Sequence, residues 1–552
     1  MENKIKHIYG DKAPIVMQGI ERLLAKYKDG KPQNSWVTED EVMLITYGDS
    51  VRSPGEMPLQ TLDEFLTNDV NSGVTAVHIL PCFPYTSDDG FSVVDYRVID
   101  PDLGDWGDVE KLGSHFDLML DAVINHASAS SPWFQGFLQD DERYQDYFVV
   151  ADPVLDYSSV TRPRALPLLT EVETPSGKKH VWTTFSADQI DLNFESPQVL
   201  LEILDILAMY AHKGSRFIRL DAIGFMYKKL GTTCMHLEET HMLVQVMREF
   251  LDIAVPGTIL ITETNVPHKD NISYLGDGNE AHMVYQFPLP PLTLFSFYKQ
   301  NARKLMDWAN SLEPTPRHTT FFNFLASHDG IGMRPTEGIL TLEERDMMVE
   351  NVIARGGFVN FRDNGDGTKS PYELNINYMD ALTDPEASDA ERAKRSLAAH
   401  AILLSLAGVP AVYIHSLLGS RNDRQAALDS GINRRINRAK LDKQTVCEEL
   451  QADSLRRSVF EQMSELIRTR RAQSAFAPQA AQQVVYLDDR IFSIRRTNEE
   501  TGQQILVLVN VSSEEVSVDT GIQGMDLITG QTVDGVLVVK PCCYHWVGAA
   551  SK

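Results

Sequence analysis

Arg216-Phe217-Ile218-Arg219-Leu220-Asp221 and Ile259-Leu260-Ile261-Thr262-Glu263 are short, mostly apolar runs that each stop on an acid. Neither alternates cleanly between polar and apolar residues, which is the pattern of a strand buried on both faces. Similar runs recur at 42–47, 74–80, 116–124, 283–287, 320–325 and 409–414, most of them followed by a helical pattern. Eight such units predict an α/β chain built on a closed (β/α)8 TIM barrel. A doubly wound open sheet is the rival. It loses weight because no strand-linked G-x-G-x-x-G fingerprint or P-loop is present.

The spacing of the runs predicts the rest of the organisation. Intervals after the third and seventh strands are about twice a normal βα unit or more, so insertions are expected at 127–195 and 330–395, both leaving from strand C-terminal ends. The barrel then occupies 39–126 and 196–475, behind a helical leader at 1–38. After an amphipathic helix at 454–472, β-type runs at 484–486, 491–494, 505–511 and 536–539 predict a terminal all-β domain, 476–552. Residues 398–419 carry no Asp, Glu, Lys or Arg, but Gly408-Val409-Pro410 divides them into a helix and a buried strand rather than a membrane span.

The chain has 552 residues and a net charge of −26, which argues against nucleic acid and anionic membrane surfaces as partners. Five scattered cysteines match neither a zinc nor a redox motif. The first residues lack the apolar core of a signal peptide, so a cytoplasmic location is expected.

The chemistry is expected where strands end. Asp221, Glu263 and Asp329 each close or follow a strand and point toward the barrel mouth. Converging carboxylates raise at least one pKa, which gives a protonated acid beside an ionised nucleophile. Arg219, two residues before Asp221 on the same strand face, favours the ionised form of that acid. This is the set that glycosyl transfer through an oxocarbenium-like transition state requires. Any one strand-terminal acid reads equally well as a helix cap or loop charge. Three together with Arg219, His126 and His328 read as a site, and Asp88 adds a carboxylate suited to vicinal hydroxyls. His78, His400 and His415 read as satisfied core histidines.

Asp121-x-x-x-Asn125-His126, Arg219-x-Asp221, Glu263 and His328-Asp329 resemble, in order, the four signature regions of the α-amylase superfamily of retaining glycosidases. Leu80-Pro81-Cys82-Phe83-Pro84, Asp88-Asp89-Gly90-Phe91, Arg162-Pro163-Arg164, Gly231-Thr232-Thr233-Cys234 and Tyr372-Glu373-Leu374-Asn375 resemble its sucrose phosphorylase group. That resemblance implies that Asp221 is the nucleophile, Glu263 the general acid/base and Asp329 the transition-state stabiliser. It also implies that Asp88, His126, Arg219 and His328 hold a glucosyl ring beside Phe185, with Tyr372 in the substrate site, and that Arg164 turns toward phosphate. Members of the group work without a structural calcium ion, so no metal and no cofactor are expected.

An α-glucoside and inorganic phosphate are therefore the expected small-molecule partners. Phosphate outcompetes water only where a cation and a fork of N–H donors meet it, and Arg164 offers both. Residues 421–440 hold six Lys or Arg against two Asp, which reads either as a phosphate-favouring patch or as a solvated loop. Phe225 stands where sucrose phosphorylases commonly carry Tyr. With the 367–373 and 431–438 segments, this makes the chain most similar to glucosylglycerate phosphorylases. Glycerate carries a carboxylate, and Lys369, Arg434 and Arg435 are the candidate cations for it. The alternatives are a phosphorylase of sucrose, sucrose 6'-phosphate or glucosylglycerol, an α-glucosidase-type hydrolase, or a non-enzymatic transporter ectodomain. The last fits poorly with a full acid set and no convincing span. The 363–367 segment resembles a calcium loop without its acidic twelfth position and reads as a glycine-rich turn.

Overall fold

The protein is described from a computed structural model covering residues 1–28, 30, 36–164, 166–363 and 368–549. The glycine-rich turn at 363–367 lies almost wholly outside these residues. Eight parallel strands close into a barrel: β1 (Met43–Thr46), β2 (Ala76–Ile79), β3 (Asp117–Ala122), β4 (Ser215–Leu220), β5 (Ile259–Thr262), β6 (Met283–Tyr285), β7 (Thr320–Phe324) and β8 (Val409–Tyr413). Each pairs with its neighbour in sequence, and β8 returns to β1 with Ala411 opposite Met43. Seven of the eight are buried at every position; in β3 Asp117 alone is partly exposed. Burial on both faces is what unbroken apolar runs impose, and here it brings all the strand C-terminal ends to one rim.

Two excursions leave that rim. After β3 the chain forms the helix Pro132–Leu138, a hairpin of Leu169–Thr174 with Gly177–Trp182, and a short pairing of His126–Ser128 with Gln189–Asp191. After β7 it forms a three-stranded sheet in which Lys369–Asn375 lies between Ile331–Gly332 and Phe358–Asp363. The helix leading into β8 begins at Asp389, inside the span read from sequence as the second insertion. The leader forms helices α1 (Glu2–Tyr9) and α2 (Ala13–Lys26), which pack on α3 (Pro197–His212) and α4 (Glu238–Ala254), the helices flanking β4.

The run at 398–419 resolves as expected into the end of helix α5 (Asp389–Ser405), strand β8 and a short helix. Among the described residues no helix is long and apolar enough to cross a membrane. After α6 (Leu455–Arg471), a six-stranded antiparallel sheet packs against the barrel's outer face: β9 (Ala481–Val484), β10 (Ile491–Thr497), β11 (Gln504–Asn510), β12 (Val516–Asp526), β13 (Thr532–Val539) and β14 (Tyr544–Ala549).

Two fully buried arginines join these parts, and among the described residues no carboxylate is hydrogen-bonded to either. Arg470 of α6 donates to the carbonyls of Leu404 (3.0 Å), Phe476 (3.1 Å), Gly408 (3.4 Å) and Glu39. Arg496 of β10 donates to the carbonyls of Ser405 (2.7 Å), Ala477 (2.7 Å) and Ala480 (3.2 Å). Leu404 and Ser405 are the last residues of α5, where unpaired carbonyls carry the negative end of the helix dipole. Burial pulls Arg470 down to about 10 and, with repulsion from Arg470, Arg496 down to about 9, so both stay charged at neutral pH. Arg496→Ala removes a charged donor from the buried Ser405 carbonyl and from the part-buried Ala477 and Ala480 carbonyls, of which Ala477 keeps the Ala480 N–H. It is expected to lower stability by about 3 kcal/mol, read as a lower denaturant midpoint for the whole chain. An unchanged midpoint would show that the clasp contributes nothing.

Candidate active site

The rim of the barrel surrounds a cleft of about 110 Å³. Asp88, His126, Arg164, Phe185, Asp221, Glu263, His328, Asp329, Tyr372 and Arg434 all line it. Arg219 lies beneath its floor, buried. Two candidates stand apart. Lys369 is an exposed residue at the start of its strand and does not line the cleft. Arg435 turns to the other side of the rim, where it binds Asp89 with Nε at 3.2 Å and Nη2 at 2.7 Å.

The three acids are held by what lies below them. Arg219 Nη1 donates to Asp221 at 2.9 Å and also to Asp121, while its Nη2 lies 3.9 Å from Glu263. Asp121 in turn meets His78 Nε2 at 2.6 Å. His78, buried as its apolar run suggested and with its pKa lowered by that burial, is a neutral ring at the foot of the column under the site. Ala222, directly after Asp221, adopts a left-handed φ of +50°, and its N–H donates to Glu263 at 3.2 Å. That turn ties two of the acids together through the backbone.

Burial, then the like charge of nearby carboxylates, pushes Asp221 and Glu263 upward against the pull of Arg219. Arg219 lies nearer to Asp221, at 2.9 Å, than to Glu263, at 3.9 Å, and so favours the ionised form of Asp221 more. Burial also opposes ionisation of Asp329, but Arg434 at 2.8 Å, together with His328 and Arg438, holds it far below the usual carboxylate range. Burial pulls His328 down to about 3. It is a neutral ring stacked on Phe91 at 4.8 Å, and its Nδ1 has no hydrogen-bond partner among the described residues. His126 is likewise lowered by burial, and its Nε2 bonds the Phe91 carbonyl at 2.8 Å.

Three cations surround this anionic group. Arg164 lies 5.5 Å from the Phe185 ring centre and 3.2 Å from Asp88. Its loop is anchored where Thr161 N–H meets the Thr233 carbonyl at 2.9 Å and Ser159 meets that of Thr232 at 3.0 Å. Arg434 spans Asp329 and Glu373, the latter at 2.9 Å. Lys228, a residue missed in the sequence, draws together Asp191 (2.6 Å), Asn125 (3.1 Å) and the Phe225 carbonyl. An ammonium there joins the first insertion, the end of β3 and the segment after Asp221. Gln189, Asn265 and Glu373 also line the cleft. Glu373 stood in a quoted motif, whereas Gln189 gave no sequence signal of its own.

Comparison with known proteins places these features in a family. The model of the α-amylase catalytic domain matches residues 70–336. A glucosylglycerate phosphorylase of Allomeiothermus silvanus is 47% identical over 98% of this chain and 96% of its own length. One from Escherichia coli is 46% identical over 92% of both chains. The crystal structure of sucrose 6F-phosphate phosphorylase from Thermoanaerobacter thermosaccharolyticum superposes with a TM-score of 0.75 at 25% identity, covering 91% of this chain and 98% of that one. With a barrel whose strand ends gather these acids, and with near-full-length relatives at this identity, the chain belongs to the α-amylase family.

Proposed function

We propose that the protein is a retaining phosphorylase that cleaves 2-O-α-D-glucosylglycerate with inorganic phosphate, giving α-D-glucose 1-phosphate and D-glycerate. The observation that carries this reading is one cleft holding Asp221, Glu263 and Asp329 together with two arginines, Arg164 and Arg434, at its wall. Full-length relatives named glucosylglycerate phosphorylase support the choice of glycoside.

The chemistry follows from the charges. Asp221, kept ionised by Arg219, attacks the anomeric carbon while Glu263 gives its proton to the departing glycerate oxygen. Asp329, held anionic, faces the positive charge that develops on the ring. The product is a β-glucosyl ester of Asp221. Phosphate then attacks the same carbon from the face the glycerate left, Glu263 takes a proton from it, and the two inversions restore the α configuration. Asp88, His126 and His328 bind the glucosyl hydroxyls against Phe185.

Arg164 and Arg434 are the cations available to the phosphate and to the glycerate carboxylate, since Lys369 and Arg435 face elsewhere. Arg164 starts on Asp88, so meeting phosphate requires it to exchange a carboxylate for the incoming anion. The cysteines carry no disulfide among the described residues, and we place the protein in the cytoplasm.

Glucose 1-phosphate release from glucosylglycerate is expected to exceed that from sucrose, sucrose 6'-phosphate and glucosylglycerol, and to stop when phosphate is omitted. Equal rates with sucrose would discard the proposed glycoside, and undiminished glucose release without phosphate would identify a hydrolase. Arg164→Ala is expected to raise KM for phosphate by about tenfold while glucosyl-enzyme formation, followed in a phosphate-free burst, changes little; equal losses in both would remove its acceptor role. Because Glu263 works in its protonated form and its pKa is raised, activity is expected to fall as pH rises through that pKa. In Glu263→Gln the alkaline limb disappears and turnover drops about 10²-fold or more; an unchanged limb would assign the proton to another group.

A further inference from the structure

Asp88 and Asp89 are adjacent, yet their carboxylates serve opposite sides of one wall. Asp88 lines the cleft beside Arg164, Arg434 and the three acids. Asp89 lines a separate cavity with Tyr47, Tyr85, Arg435, Arg438 and Lys440. The backbone makes this possible at a cost. Asp88, Asp89 and Gly90 have consecutive left-handed φ values of +55°, +46° and +112°, and a side chain at Gly90 would come within 2.9 Å of Pro81. Aspartate tolerates that region better than most residues, but two in succession persist only where the surroundings hold them there.

What holds them is a second pairing of neighbours. The segment Asn433–Asn437, which follows β8, sends Arg434 into the cleft and Arg435 to the outer cavity. Arg435 chelates Asp89 from outside, and Arg438 adds a bond from Nη1 at 2.6 Å. Arg438 is itself buried, and its Nε donates to the His328 carbonyl at 2.7 Å. One carboxylate thus fixes the turn that aims Asp88 and, through Arg438, the backbone of His328. Both residues are assigned to the glucosyl ring in the function proposed above, on which this inference rests.

We infer that Asp89 is a positioning residue of the glucosyl subsite, which holds Asp88 and His328 in their sugar-facing orientation through its ion pairs with Arg435 and Arg438 and touches no substrate itself. The two guanidiniums draw Asp89 down to about 2 against the effect of burial, so the tether persists throughout the working pH range. On this reading Arg435 acts on the glucosyl side of the site rather than on the acceptor.

A purely structural role and a positioning role differ in which constants move. In Asp89→Asn the dissociation constant for D-glucose, measured by calorimetry, and KM for glucose 1-phosphate are expected to rise by about tenfold, the loss of one charge-assisted hydrogen bond. The KM values for inorganic phosphate and for glycerate are expected to change less than about twofold. Asp89→Glu, which keeps the charge, is expected to recover part of the loss. Arg435→Met, at a half-exposed position, is expected to shift the glucose constants by about threefold in the same direction and supplies the reading if Asp89→Asn does not fold. Unchanged glucose binding in the folded variants, no recovery in Asp89→Glu, or an equal shift in all four constants would overturn the inference. Wild-type protein that binds glucose but forms no glucose 1-phosphate from glucosylglycerate would instead overturn the proposed function and leave this tether standing.

Discussion

Carboxylates that must reach the same carbon atom repel one another, and a buried floor makes that repulsion worse. Arg219 is what allows them to coexist here. It is itself among the largest fully buried side chains, Asp121 supplies the anion beside it, and the His78 ring bonds that carboxylate. The column His78, Asp121, Arg219, Asp221 runs across adjacent barrel strands, so its geometry is fixed by strand register: Asp121 lies opposite Arg219 in the β3–β4 ladder, and His78 lies opposite Met119 in the β2–β3 ladder. A one-residue slip would turn each of these groups to the other face of the sheet. Catalytic geometry and barrel register are therefore one constraint.

That coupling explains what was legible. Acids that end or follow several apolar runs converge on the barrel mouth, so Asp221, Glu263 and Asp329 could be read as a set, as could the eight strands. The same logic fails after β8, where short helical turns succeed each other. There, neighbouring residues point in different directions, and a cluster of arginines does not reveal which member faces inward. Arg434 and Arg435 were indistinguishable as sequence and stand on opposite sides of the wall. Lys369 looked like a ligand for an anion and is exposed, whereas Lys228 drew no notice as sequence and is held by three oxygens.

The cleft must accept anions although the chain carries a net charge of −26. Its cations already have partners before any ligand arrives: Arg434 bridges Asp329 and Glu373, and Arg164 rests on Asp88. An incoming phosphate or carboxylate thus replaces an existing ion pair instead of meeting a bare charge. Exchange of that kind limits affinity, and it discriminates strongly by shape, because only an anion placed to satisfy the same N–H donors recovers what it displaces.

The carbonyl clasp formed by Arg470 and Arg496 bears on how the molecule is made. Leu404, Ser405 and Gly408 sit at the entrance to β8, the strand that closes the barrel. Arg470 reaches Leu404 and Gly408 from α6, but the Ser405 carbonyl receives its donor only after the chain has been synthesised beyond residue 496, well into the terminal sheet. Until then the base of the last barrel unit has a carbonyl with nowhere to go but water. The terminal β-sheet therefore supplies the last donor at the entrance to the strand that closes the barrel.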